Sequence, residues 1–137
     1  MMIGLDTSVL VRYIAQDDPL WTEPATEFID KGISEQSPGY VNVIVLVELA
    51  WTLRSAYNFT REKIASVIEE LLQSSSLRIS EEKCVQRALL KSNSTGAGFA
   101  DCLIAELNTA AGVAATYAID KRAVRGDIFT QVPRLTP

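Results

Sequence analysis

Histidine is missing from all 137 residues of this chain. Without an imidazole there is no serine–histidine or cysteine–histidine triad, no histidine-ligated zinc and no histidine general base. Any chemistry here rests on carboxylates, hydroxyls, lysines or arginines. Cysteine is scarce too: Cys84 and Cys102 stand far apart, form no ligand-spaced pair and read as ordinary free thiols. No apolar run approaches the ~20 residues that cross a bilayer. The longest, residues 41–53, is broken by Asn42, Glu48 and Thr52. The first residues also lack the basic start and apolar core of a signal peptide. The expectation is a soluble, cytoplasmic protein with no membrane partner.

Positive charge is short as well, with 13 Lys and Arg against 17 Asp and Glu and a net charge of −4. That balance is the reverse of the usual footprint of a nucleic-acid binder. Carboxylates gathered in one metal site would supply much of the excess, and bound divalent cations would invert the local sign. The charge therefore weighs against tight nonspecific binding and leaves catalysis on RNA open.

What is present suits one globular domain over residues 1–137: 47% of residues are apolar and 22% charged, without internal repeats or low-complexity stretches. A short apolar run at residues 3–5 ends at Asp6. Val9, Leu10, Tyr13 and Ile14 then follow one helical face, and the Asp17-Asp18-Pro19 turn closes that helix. Residues 22–35 read as a second helix, with Pro24 tolerated in its first turn. Past the Pro38-Gly39 turn, residues 40–43 fit a buried strand and residues 44–57 a largely buried helix. Thr60 caps an amphipathic helix with Ile64, Val67, Ile68, Leu71 and Leu72 on one stripe. A short run at residues 77–79, a helix over 81–91 and a loop over 93–98 come next. A helix over 99–111 ends at Gly112, an apolar run over 113–119 ends at Asp120, and a short final strand starts near Phe129. Strands alternating with helices predict an α/β domain with a mainly parallel sheet, whose ligands bind beyond the carboxyl ends of the strands.

Four carboxylates stand apart from the solvated acidic pairs. Glu48 is the only charge in the run 39–53, and an unpaired carboxylate in apolar surroundings costs several kcal/mol unless paired or bound to a metal. Its bland alternative is an exposed helix face or a pair with Arg54. Asp6 follows the first apolar run, with helix capping as its alternative role. Asp101 lies in the first turn of its helix, where the dipole favours an anion, and Asp120 would otherwise simply begin a turn. Together they offer the oxygen ligands that hard cations such as Mg²⁺ and Mn²⁺ prefer. Such ions can activate water against a phosphodiester without histidine.

These residues resemble a known family. Asp6-Thr7-Ser8-Val9-Leu10-Val11-Arg12-Tyr13, followed by Asp17-Asp18-Pro19, is similar to the opening of a PIN-domain protein, and more closely of a VapC-type toxin of a type II toxin–antitoxin pair. Val47-Glu48-Leu49 resembles the family's second motif, Phe99-Ala100-Asp101-Cys102-Leu103-Ile104-Ala105 the third and Ile119-Asp120-Lys121-Arg122 the fourth. The fourth departs in having Ala118 two residues before the aspartate, where the family usually carries a hydroxyl.

The resemblance implies a three-layer α/β/α sandwich and a metal-dependent endoribonuclease using Mg²⁺ or Mn²⁺. Asp6, Glu48, Asp101 and Asp120 would be its catalytic and metal-binding residues. Thr7 or Ser8 would orient water or phosphate. Arg12, Lys121, Arg122 and Arg125 flank the proposed site in sequence and are candidates for holding the RNA backbone, with a plain solvated surface charge as the competing reading of each. It further implies a homodimer restrained by a cognate antitoxin. The apolar stripe of the helix over 60–73 reads first as core. Its sharper reading, with Trp51 and Phe59, is a groove for an antitoxin helix. Two alternatives compete: a catalytically silent PIN-like module that only binds a partner, and an aspartyl-phosphate enzyme. The second is disfavoured by Ser8, where dehalogenase-like members carry a second aspartate.

Overall fold

Gly39 decides how the first strand lies. In the computed structural model, which describes residues 1–119 and 126–135, Ile3 and Gly4 pair in parallel with Gly39 and Tyr40. A Cβ on Gly39 would sit 2.7 Å from Leu5 Cδ1 and 3.3 Å from Ile33 Cδ1, so only a hydrogen fits beneath those side chains. Leu5 is buried there, and its N–H donates to Tyr40 O at 2.9 Å. The chain leaves the sheet immediately afterwards, at Asp6.

Two compact units make up the chain, Met1–Ser80 and Glu81–Pro137. The first holds β1 (Ile3–Gly4), α1 (Thr7–Ala15), α2 (Thr22–Glu27) running into a π-helical turn (Phe28–Gly32), β2 (Gly39–Val41), α3 (Val43–Tyr57), α4 (Arg61–Gln73) and β3 (Leu77–Ile79). Its three strands lie in the order β1-β2-β3, all parallel, with Gly39, Tyr40 and Val41 matched to Leu77, Arg78 and Ile79. The second holds α5 (Glu82–Thr95), α6 (Phe99–Ala110), β4 (Tyr117–Ala118) and β5 (Thr130–Gln131), the last two also parallel. Helices between parallel strands give the α/β class that the sequence predicts.

The core of the first unit follows from helical spacing. Leu10 and Val11 of α1, Leu46, Leu49 and Leu53 of α3, and Ile64, Ile68 and Leu71 of α4 are buried with Val41, Leu77 and Ile79 of the strands. The bland reading of the α4 stripe therefore holds for Ile64, Ile68 and Leu71, which are buried and cannot face a partner. Asn42 starts α3 by accepting the Val45 N–H at 3.0 Å, and Thr60 starts α4 by accepting the Lys63 N–H at 3.1 Å. In the second unit α5 and α6 bury Cys84, Val85, Ala88, Leu89, Phe99, Cys102 and Leu103.

Four expectations need correction. The helix over 22–35 is α-helical only to Glu27 and ends by Gly32. α3 is not largely buried, because Ile44 and Trp51 are 69% and 71% exposed. This helix is apolar on nearly every face, so composition cannot say which face looks outward. α5 continues to Thr95 through part of the expected loop. Gly96 stops it in a left-handed turn (φ 82°), and the Ser92 hydroxyl donates to Ala97 O at 2.6 Å. Of the apolar run over 113–119 only Tyr117–Ala118 is a strand, and Val113, Tyr117 and Ile119 are exposed.

Candidate functional site

Asp6 occupies the N-cap position of α1 in extended backbone (φ −85°, ψ 160°), yet its side chain caps no amide. Its Oδ2 instead accepts the Ser8 hydroxyl at 3.0 Å. The helix-capping role that competes with a functional one is thus left undone. The Ser8 hydroxyl, then the Thr7 and Ser8 backbone amides, hold the carboxyl below its usual value. Asp6 is exposed and stays ionised at neutral pH.

Glu48 differs from its expected setting. It lies on the exposed face of α3, on the same stripe as Ile44 and Trp51, so the desolvation cost inferred from its apolar neighbours does not arise. Among the described residues it has no ion pair with Arg54. What it has is Thr7: the Thr7 Oγ1 donates to Glu48 Oε1 at 2.9 Å. α1 and α3 therefore place Glu48 against the residue that follows Asp6.

Asp101 belongs to the second unit, in the first turn of α6, which Gly98 begins. Among the described residues its carboxylate has no hydrogen-bond or ion-pair partner, and it is half-buried. Asp120, Lys121, Arg122 and Arg125 lie outside the described residues. Among the described residues no three or more His, Cys, Asp or Glu side chains gather to hold a metal. Of the four acids, the first unit carries Asp6 and Glu48, and Glu48 is hydrogen-bonded to Thr7, the residue after Asp6.

Arg12 is committed elsewhere than expected. Its Nη1 lies 3.6 Å from Asp17 Oδ1 and donates to the Tyr57 hydroxyl at 3.2 Å, and its Nε lies 3.6 Å from Asp18 Oδ2. Asp18 in turn accepts the Leu20 and Trp21 N–H groups at 2.9 and 2.8 Å. Those two amides, followed by the Arg12 charge, hold the Asp18 carboxyl below the usual range. Arg12 thus fastens the loop after α1. Ser8, Arg12 and Asp18 then line a groove of about 630 Å³ with Trp21 and Phe28. Trp21 and Phe28 are not among the expected site residues. The only sequence signal for them is an apolar Leu20-Trp21 pair directly after an acidic turn. Cys84 and Cys102 are free and buried, and burial pushes both thiols up, which suits inert thiols.

A model of the PIN-domain family matches residues 3–125. The chain belongs to the PIN-domain family. Among curated proteins nothing matches it. PIN domains are typically nucleases, and they generally work with divalent metals. The match to the PIN model spans both units and takes in Asp6, Glu48, Asp101 and Asp120. Among the described residues of this PIN-domain chain, no helix is long and apolar enough to cross a membrane.

Proposed function

We propose that the chain is a Mg²⁺- or Mn²⁺-dependent endoribonuclease and the toxin of a type II toxin–antitoxin pair, acting in the cytoplasm. The observation that carries this reading is the state of Asp6: exposed, ionised, held by Ser8 and not used as a helix cap. Thr7 beside it fixes Glu48, and both acids offer only oxygen, which suits a hard cation. By the family's motif pattern, Asp6, Glu48, Asp101 and Asp120 would be the ion's ligands. A divalent cation held there supplies the positive charge that activates water and stabilises the leaving oxygen of a phosphodiester. Thr7 restrains the rotamer of Glu48, and the Ser8 hydroxyl restrains that of Asp6. Lys121 and Arg122 would hold the RNA backbone.

We assign an antitoxin segment to a second groove, about 510 Å³, whose accessible walls include Tyr13, Ile14 and Val67. The exposed Ile44 and Trp51 suit a homodimer contact.

The deciding experiment is cleavage of a labelled single-stranded RNA pool with Mg²⁺ or Mn²⁺, with and without EDTA, beside Asp6→Asn and Asp101→Asn proteins. We expect metal-dependent cutting, abolished in both variants, that leaves a 5′-phosphate. A 2′,3′-cyclic phosphate product would exclude water as the attacking group. No cutting, together with no Mn²⁺ binding by calorimetry, would make the chain a silent binding module.

A further inference from the structure

Trp21 is 58% exposed and Phe28 41%, in a chain whose two tryptophans both lie at the surface. Folding does not account for Trp21, because a tryptophan left in water forgoes the burial that would stabilise the domain. The backbone beneath it is nevertheless firmly held. Asp18 accepts the Leu20 and Trp21 amides, and its own N–H donates to Thr22 Oγ1 at 2.9 Å. The Thr22 N–H returns to Asp18 O at 3.1 Å, while Arg12 ties the Asp18 carboxylate to α1. An aromatic that is both exposed and pre-ordered loses little freedom when something stacks on it.

The surroundings narrow what that something is. The groove of about 630 Å³ that Trp21 and Phe28 line falls in the size range of small-molecule sites. Its polar members are the Arg12 guanidinium, the Asp18 carboxylate and Ser8, and the Ser8 hydroxyl is the group that holds Asp6. Aromatic faces beside a forked donor and a carboxylate acceptor match a flat heteroaromatic ring with a hydrogen-bonding edge. The Arg12 charge is already paired with Asp17 and Asp18, so the groove's grip is on the ring itself. An apolar protein helix would be served poorly by a short groove with an ion pair inside it.

We propose that this groove is a nucleobase subsite. An unpaired base of the RNA stacks on Trp21, with Phe28 beside it, and the adjoining backbone passes Ser8 towards Asp6. The proposal rests on the nuclease reading above and adds the point at which substrate is gripped. Because every base has a π-face, the grip tolerates sequence and requires a single strand.

The test uses Trp51→Phe protein, in which Trp21 is the one remaining tryptophan, with EDTA present so that RNA stays intact. A single-stranded oligoadenylate RNA is titrated in, following tryptophan emission and the anisotropy of a label on the RNA. We expect saturable quenching of Trp21. We also expect Trp21→Ala to bind the same RNA roughly 5- to 150-fold more weakly, and Trp21→Phe within about threefold of the parent. Circular dichroism confirms that each variant is folded. Unchanged Trp21 emission while anisotropy reports bound RNA overturns the proposal. So does full affinity in Trp21→Ala, which would leave the groove to a protein partner, and so does no RNA binding at all. Cleavage with Mn²⁺, run in parallel, separates this from the nuclease reading. Cutting that is indifferent to Trp21 removes the subsite alone. Trp21-dependent binding without cutting removes the nuclease reading and keeps the subsite.

Discussion

The Thr7 hydroxyl donates to Glu48 Oε1 at 2.9 Å, so the first residue of α1 orients a carboxylate carried by α3. Glu48 is exposed, so the bond adds little to stability, under about 1 kcal/mol. Its use is to restrict the carboxylate. Thr7→Val keeps the branched shape and removes the donor. We expect kcat/KM on labelled RNA to fall about 10-fold, with Thr7→Ser restoring most of it and urea midpoints nearly unchanged. Equal rates for Thr7→Val and the parent would take Thr7 out of the site.

Acid should loosen the loop after α1 only at low pH. The Asp18 carboxyl lies below its ordinary 3.8, chiefly through the Trp21 and Leu20 amides and then the Arg12 charge. A carboxyl lowered in the folded state contributes stability that is complete above the unfolded value and lost as pH falls through the folded one. With no histidine in the chain, no side chain at its ordinary value titrates between about pH 5 and 8. The Leu20 and Trp21 amide resonances should therefore hold steady from pH 8 to 5 and shift below about pH 4. Asp18→Asn should abolish that acid transition. A midpoint between pH 6 and 7 would contradict this account.

Gly39→Ala should be costly although alanine suits a strand no worse than glycine. The new methyl would lie 2.7 Å from Leu5 Cδ1, in a buried site. We expect about 1–3 kcal/mol of destabilisation by urea unfolding. Leu5→Ala in the same chain makes room, so the double variant should lose less than the two single losses added together. Additive losses would place the strain elsewhere.

Asn42→Ala removes the side chain that accepts the Val45 N–H at the start of α3. The expected cost is about 1 kcal/mol, with Asn42→Asp close to neutral. Since α3 carries Glu48, fraying its first turn should also lower cleavage activity, and Asp should rescue both properties together. Lost activity in a variant of unchanged stability would point to a direct role for Asn42.

Much of the fold is legible in the amino-acid sequence alone. An apolar run ending at Asp6 marks a strand leaving a sheet, Thr60 announces the helix that follows it, and the run over 77–79 is β3 residue for residue. The setting of Glu48 is not legible there. A helix apolar on all sides shows no stripe, so the exposure of Ile44, Glu48 and Trp51 depends on packing. Arg12 reads as a spare cation because its partners, Asp17, Asp18 and Tyr57, are assembled only by the fold. Trp21 stays hidden for a related reason: a loop tryptophan shows no periodicity, and only the groove around it distinguishes it from a stray surface residue.

Apart from Ser8 and the first turn of α1, the contacts that hold the Asp6 segment in the first unit involve chain made much later. β1 waits for Gly39 and Tyr40, Thr7 waits for Glu48, and β2 gains its far neighbour only when Leu77 to Ile79 arrive. Parallel pairing allows no tight hairpin, so no local shortcut exists. A ribosome that has delivered β1 and α1 has not yet delivered the Glu48 that Thr7 orients. Assembly of this part of the site is therefore a late event of synthesis, governed by long-range chain closure.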